Sequence, residues 1–154
     1  MKKKLTMILL ALVLCATSFF TVDMKASAEE TGEDVTYESL LTEDALIGNM
    51  QSQTWGVYLS SGTSVINDAG GGKIGAGGIT TAAKKCTVSV NAIVERKVGS
   101  SWVRVTSWTV TNTNALVASA SKTISVASGY YYRVRCNHSA GTDGSSSYTG
   151  ALWM

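Results

Sequence analysis

Apolar and polar side chains alternate along most of the chain, with the two-residue period of a strand that has one buried face. The clearest case is residues 86–96, where every second side chain from Cys86 to Val94 is apolar and most of those between are polar. Val, Ile, Thr, Tyr and Trp are common in such segments, whereas Gly, Asn and Asp separate them. Seven or eight short strands with this spacing of turns predict an all-β fold, a small antiparallel β-sandwich.

The predicted strands follow one another from residue 55 to the end of the chain. They cover residues 55–60, 64–66, 73–81, 86–96, 102–111, 116–126, 130–138 and 147–153. A turn is predicted at residues 112–114, where the sequence reads Asn-Thr-Asn. Within residues 102–111 the apolar positions change parity between Val105 and Trp108, which predicts a β-bulge near Thr106.

The N-terminal segment has a different pattern, a continuous apolar run behind a charged start. Three lysines at residues 2–4 precede the apolar residues 5–20, and the small residues Ala-Ser-Ala follow at 26–28. This pattern predicts a signal peptide over residues 1–28, cleaved after Ala28, so that the protein is secreted and meets the membrane only during export. The alternative is a retained transmembrane anchor, although the apolar run is short for a span and no stop-transfer charges follow it.

Residues 29–53 are predicted to form an acidic leader ahead of a β-sandwich domain at residues 54–154. Between Glu29 and Asp44 the leader has acidic side chains but no lysine or arginine, whereas basic residues outnumber acidic ones after Asp44. We expect the leader to be disordered or to form a short helix at residues 36–47. The alternative is that the leader folds back on the basic domain through its charge.

The cysteine content indicates one disulfide. Cys15 lies in the apolar run and leaves with the signal peptide, so that Cys86 and Cys136 remain. Two cysteines in an exported chain most simply form one disulfide, and both of these are predicted on the inward faces of their strands. The alternative is a pair of free buried thiols.

No constellation of residues predicts catalysis, a cofactor or a metal site. His138 is the single histidine, and the acidic residues of the predicted domain, Asp68, Glu95 and Asp143, are few and scattered. A triad of a serine with His138 and Asp143 lacks a nucleophile-elbow pattern, and a metal site lacks the necessary ligands. The G-x-G-x-x-G spacing at residues 70–75 is followed by a β-like sequence rather than a helix, so it does not predict a dinucleotide site. We therefore expect a non-enzymatic protein without a cofactor, a metal or a nucleic-acid partner.

The predicted strand at residues 130–138 carries the most suggestive candidate binding face. Alternation places Tyr131, Arg133 and Arg135 on its outward side. An aromatic ring beside arginines on a strand face suits the binding of a sugar, a peptide or an anionic polymer. The alternative is the ordinary polar exterior of a central strand, in which the arginine stems cover neighbouring apolar surface.

Five segments outside the signal peptide carry a family resemblance. They read GIT at residues 78–80, CTVSVNAIVER at 86–96, SW at 101–102, GYYYRVRCNH at 129–138 and SYTGALW at 147–153. In these segments the chain resembles a family of small exported Gram-positive proteins of unknown function. That resemblance implies a secreted all-β domain, and it assigns neither an activity nor site residues. In its size, signal and aromatic C-terminal end the chain is also similar to exported β-sandwich bacteriocins of the lactococcin 972 type.

Taken with the export signal, the candidate face predicts a secreted or cell-surface binding or interaction module. Its partner is expected to be a cell-wall polymer, a glycan or a surface protein. The alternative function is that of a secreted antagonistic peptide, similar to a bacteriocin.

Overall fold

The computed structural model describes residues 32–51 and 56–154 of the chain. The predicted signal peptide at residues 1–28, its cleavage site and Trp55 lie outside the described residues. None of the described segments forms a helix with the length and apolar character needed to cross a membrane.

The described residues form an antiparallel sheet of eight strands, which confirms the predicted all-β fold. Most of the backbone pairing involves two strands, Lys73–Val98 and Ser101–Ser125, each of which is far longer than an average strand. The strands are β1 (Glu33–Asp34), β2 (Leu46–Asn49), β3 (Leu59–Gly70), β4 (Lys73–Val98), β5 (Ser101–Ser125), β6 (Tyr131–Ala140), β7 (Asp143–Tyr148) and β8 (Leu152–Trp153).

The β4–β5 hairpin runs through both layers of the structure. The first part of β4 pairs with β3, whereas its second part pairs with β6, and β5 follows β4 along both parts. One layer therefore has the order β1-β5-β4-β3-β2, and the other contains β5, β4 and β6, with β7 and β8 both paired to β6. Since β3 lies against β6 and β7 without backbone pairing, the arrangement is sandwich-like.

Irregular pairing in the middle of β4 accompanies its passage from one layer to the other. The register of β4 against β5 shifts between Thr81 and Cys86 and again between Cys86 and Val88. Extra residues of this kind bend a strand and increase its twist, which lets one strand serve two layers. The predicted bulge near Thr106 is also present, because Val94 pairs with Thr106 whereas the next residue, Glu95, pairs with Arg104.

The hydrophobic core lies between the two layers and receives alternate side chains from each long strand. Glycines let the layers approach closely. A Cβ at Gly78 would overlap the Sγ of Cys136, and one at Gly62 would lie 2.5 Å from ring atoms of His138. The largest fully buried apolar side chains are Tyr132, Ile66, Ile74, Ile124, Val65, Val88, Val90, Val94 and Val134.

Several predicted element boundaries differ from the structure. The turn predicted at residues 112–114 is absent, since β5 continues through it with Asn114 at a φ of 51°. Likewise the strands predicted at 73–81 and 86–96 are parts of β4. Local turn residues suggested breaks at these points, but pairing with the neighbouring strand on either side continues the strand past them.

The helix predicted at residues 36–47 is wrong. This segment contains one 3₁₀ turn, Glu38–Leu40, and ends in β2, which pairs with β3. Tertiary contacts favour this arrangement, because the Leu40 side chain is buried and its carbonyl accepts a hydrogen bond of 2.9 Å from Asn67 Nδ2. The acidic segment also contacts β5, where Asp34 lies 3.3 Å from Lys122.

The predicted disulfide between Cys86 and Cys136 is not formed, and both thiols are free. Cys136 pairs with Ala92 of β4, and Cys86 lies about 20 Å further along that strand at roughly 3.3 Å per residue. A disulfide needs Cα atoms closer than about 7 Å. Both cysteines do point towards the core, but at different places along the sandwich.

Candidate functional site

The alternation predicted for residues 130–138 is present in β6. Tyr132, Val134, Cys136 and His138 are buried, whereas the residues between them face outward. Tyr131, Arg133 and Arg135 therefore share the outer face of the second layer, as the sequence pattern indicated. Tyr131 is exposed, and the two arginine side chains are only partly so.

Glu95 on β4 links the two arginines. Its Oε2 accepts a hydrogen bond of 2.7 Å from Arg133 Nε, and its Oε1 accepts one of 3.0 Å from Arg135 Nε. The Glu95 side chain is only 8% exposed, so both charge-assisted bonds lie in a partly dry environment where they are strong. One carboxylate neutralises one guanidinium, and the trio of Glu95, Arg133 and Arg135 therefore keeps a net positive charge.

Two aromatic rings hold the guanidinium of Arg133. Its Cζ lies 4.4 Å from the centre of the Trp102 ring and 5.2 Å from that of Tyr148. Both distances suit cation–π attraction, which is largest for tryptophan. The rings and the Glu95 carboxylate together fix the plane of the Arg133 guanidinium before any ligand arrives.

Tyr131 and Trp153 extend the aromatic surface at the end of β6. Their rings meet edge to face, with centres 4.8 Å apart and planes at 63°. Both are exposed, Trp153 by 57%, and Tyr148 is exposed to a similar degree as Tyr131. We call the following set the aromatic–arginine face: Glu95, Trp102, Tyr131, Arg133, Arg135, Tyr148 and Trp153.

A row of polar side chains continues the aromatic–arginine face across the sheet. Arg135 Nη1 donates to Asn137 Oδ1 at 3.3 Å, and Asn137 Nδ2 donates to Asn91 Oδ1 at 3.4 Å. Asn91 in turn donates to Thr109 Oγ1 at 2.8 Å. The linked side chains span β6, β4 and β5, so the outer surface offers amide groups next to the guanidinium groups.

Further basic residues lie on the same side of the sheet. Arg104 pairs with Glu95, and Lys97 pairs with Trp102, which gives both of them the outward parity of their partners. Basic charge therefore exceeds acidic charge around the aromatic–arginine face.

Four members of the aromatic–arginine face were not predicted from the sequence: Glu95, Trp102, Tyr148 and Trp153. Of the described tryptophans, Trp108 packs against the core, whereas Trp102 and Trp153 lie on the outer face. A signal for Glu95 existed, because it follows the polar parity of residues 86–96. The contacts across β4 depend on strand register, which the sequence pattern alone does not specify.

His138 lies in a separate, buried polar network. Thr80 Oγ1 and His138 Nδ1 are 2.8 Å apart, and His138 Nε2 and Ser147 Oγ are also 2.8 Å apart. Since Thr80 donates its hydroxyl proton to Ser89 O, its oxygen accepts from Nδ1–H, and Nε2 accepts from Ser147. Burial disfavours the imidazolium and lowers the pKa of His138 from 6.5 to about 4, so the ring is neutral near pH 7.

Among the residues that the structure describes, no Ser-His-Asp triad forms around His138. Asp143 instead accepts hydrogen bonds from the backbone N–H groups of Tyr58 at 2.6 Å and Leu59 at 3.0 Å. These bonds stabilise the carboxylate and lower the pKa of Asp143. His138, Thr80 and Ser147 are all buried, so this network fixes the packing of the two layers.

Within residues 32–51 and 56–154, no three side chains of His, Cys, Asp or Glu are grouped as metal ligands would be. Comparison of the chain with protein-family models, with curated proteins and with solved structures found no match. The resemblance to small exported Gram-positive proteins therefore stays a prediction, and a function can be inferred only from the residues themselves.

Proposed function

We propose that this protein is a secreted or cell-surface binding module whose ligand is a glycan or cell-wall polymer. The aromatic–arginine face is its binding surface. The observation that carries the proposal is the fixing of Arg133 between Trp102 and Tyr148 while Glu95 holds both Arg133 and Arg135. A surface with positioned donors and rings binds with a smaller loss of side-chain entropy than a mobile one.

The exposed rings support a ligand with flat apolar faces. Tyr131, Tyr148 and Trp153 each leave a large part of the side chain in contact with solvent. Clustered exposed aromatic surface is typical of interaction sites rather than of inert exteriors. The C–H faces of a sugar ring stack on such side chains, while the hydroxyl groups of the sugar bond to amides and guanidinium groups of the kind found in Asn137 and Arg135.

Co-sedimentation with insoluble cell-wall material tests the proposal. Purified protein is mixed with Gram-positive wall sacculi that retain their attached polymers, and the bound fraction is measured against concentration. The variants Arg133→Ala and Trp153→Ala are expected to lose most of this binding. Lys85→Ala removes an exposed positive charge of β4 away from the face and is the matched control.

Two outcomes would oppose the proposal. One is that the protein remains in solution with every wall preparation, and the other is that both face variants bind as well as Lys85→Ala does. Circular dichroism of each variant establishes that the fold is retained. The alternative function as a bacteriocin-like peptide stays a prediction, and a growth-inhibition assay on related strains would test it.

A further inference from the structure

Arg133 and Arg135 keep most of their N–H donors for a ligand. Each arginine has five such donors, of which Glu95 takes only the Nε–H of each residue. Arg135 gives one further bond to Asn137, and no acceptor among the described residues binds the Nη groups of Arg133. The two guanidinium groups are therefore oriented by the protein through their Nε atoms while their outer Nη groups stay available.

The charge around these donors favours an oxyanion over a neutral ligand. The single negative charge of Glu95 is paired with the two positive charges of Arg133 and Arg135. Lys97 and Arg104 add further positive charge on the same side of the sheet. An arginine pair of this kind matches the geometry of phosphate or carboxylate oxygens, which accept two parallel N–H bonds. From these observations we propose that the aromatic–arginine face binds a polymer bearing repeated oxyanions, with one phosphate or carboxylate group held by Arg133 and Arg135.

The shape of the surface supports an extended ligand. The face lies on the outer side of a sheet and continues from Trp153 and Tyr131 to Asn137 and Asn91. Along β6 the distance from Tyr131 to Asn137 is about 20 Å at roughly 3.3 Å per residue. Successive units of a polymer therefore contact first the rings, then the guanidinium pair and then the amides. This inference rests on the proposed function and adds the charge of the ligand to it.

A substitution at Glu95 distinguishes two explanations of polymer binding: an oriented pair of arginines and a diffuse patch of positive charge. If positive charge alone attracted the polymer, Glu95→Gln would raise the affinity, because it removes the one acidic group of the face. If Glu95 positions the arginines, the same substitution lowers the affinity although the protein becomes more basic. Glu95 acts here as a positioning residue, because it contacts the arginines and not the ligand.

Three defined polymers test the inference, with binding followed by tryptophan fluorescence or calorimetry. They are poly(glycerol phosphate), a polyuronic acid and a neutral glucan. We expect at least one polyanion to bind ~10-fold more tightly than the neutral glucan, and its affinity to fall as salt is added. Tight binding of only the phosphate polymer or only the uronic acid identifies which oxyanion is recognised, and tight binding of both supports recognition of oxyanions in general.

The variants test the geometry at constant charge. Arg133→Lys keeps the charge but loses the planar fork, and we expect it to weaken polyanion binding by ~10-fold or more. Lys85→Arg also keeps its charge but lies away from the face, so it is the matched control and is expected to bind as the unchanged protein does. Arg135→Lys replaces Arg133→Lys in the test if the latter variant does not fold.

Each contrary result has a distinct meaning. Equal affinity for the neutral glucan and both polyanions would overturn the inference but leave the proposed function intact. Unchanged binding in Arg133→Lys, or tighter binding in Glu95→Gln, would overturn the claim that Arg133 and Arg135 bind the oxyanion as an oriented pair. A lack of binding to every polymer and to whole cell walls would instead remove the proposed function.

Discussion

Acidification to about pH 4.5 is expected to destabilise the protein through His138. The ring is 2% exposed, and burial lowers its pKa from 6.5 to about 4. The unfolded chain therefore binds more protons than the folded one between these values, and stability falls as the pH falls through that window. With 1.36 kcal/mol for each pKa unit, the full loss is about 3 kcal/mol, of which about 2 kcal/mol is lost between pH 7 and pH 4.5.

The cause of this loss is desolvation rather than the breaking of hydrogen bonds. The hydroxyl oxygens of Thr80 and Ser147 can both accept from an imidazolium, so protonation only requires Ser147 to rotate its O–H. The charged ring would still lie in a region from which water is excluded.

Urea unfolding at a series of pH values measures this effect. The assay compares the original protein with His138→Gln, which keeps polar atoms but does not titrate, and it follows tryptophan fluorescence from pH 7 to pH 4.5. We expect the difference in unfolding free energy between the two proteins to shrink by about 2 kcal/mol over this range. A difference that stays constant with pH would refute the reasoning. Asp143 does not interfere, because its pKa is lowered from 3.8 and its contribution is lost only below that pH.

Three further predictions concern packing, thiols and the β6–β7 turn. Gly78→Ala is expected to lower the unfolding free energy by about 1–3 kcal/mol in the same urea assay, because its Cβ would overlap Cys136. Gly144→Ala is the control and should have little effect, because its Cβ would lie 3.6 Å from the nearest atom. Mass spectrometry after alkylation in denaturant without reductant should find both Cys86 and Cys136 modified, and an unmodified pair would show that they are bonded. In the folded protein Cys86 should react first, because Cys136 is fully buried and burial raises the pKa of its thiol to about 12. Asp143→Asn should lower the thermal midpoint, because the amide is a weaker acceptor for the two backbone N–H groups; an unchanged midpoint would contradict this.

The β class of the protein could be predicted because alternation is a local property of each strand. The pattern at residues 86–96 and 130–138 gave the correct buried and outward positions in β4 and β6. The length of the strands could not be predicted in the same way. Asn114 has a positive φ and lies among turn-forming residues, yet pairing with β4 on either side keeps it within β5. A local signal for a turn was overridden by contacts between residues distant in sequence.

The sequence predicted only those members of the candidate site that lie together on one strand, β6. Tyr131, Arg133 and Arg135 follow from the parity of β6, whereas Glu95 and Trp102 join them through the pairing of three strands. The disulfide prediction was wrong for a related reason. Inward parity gave the correct side for Cys86 and Cys136, but it carries no information on their positions along the sandwich.

The bulge in the β4–β5 hairpin explains how Trp102 comes to the outer face. On one side of the bulge Thr106 pairs with Val94, whose side chain is buried, and on the other side Trp102 pairs with Lys97, which is exposed. If β5 paired regularly with β4 past Thr106, with no bulge, Trp102 would lie opposite Val98 and point inward like Thr106, because a shift of one residue reverses the two faces of a strand. The same shift places Arg104 opposite Glu95. The irregularity in the alternation, from which the bulge was predicted, is therefore what brings a tryptophan to the guanidinium of Arg133.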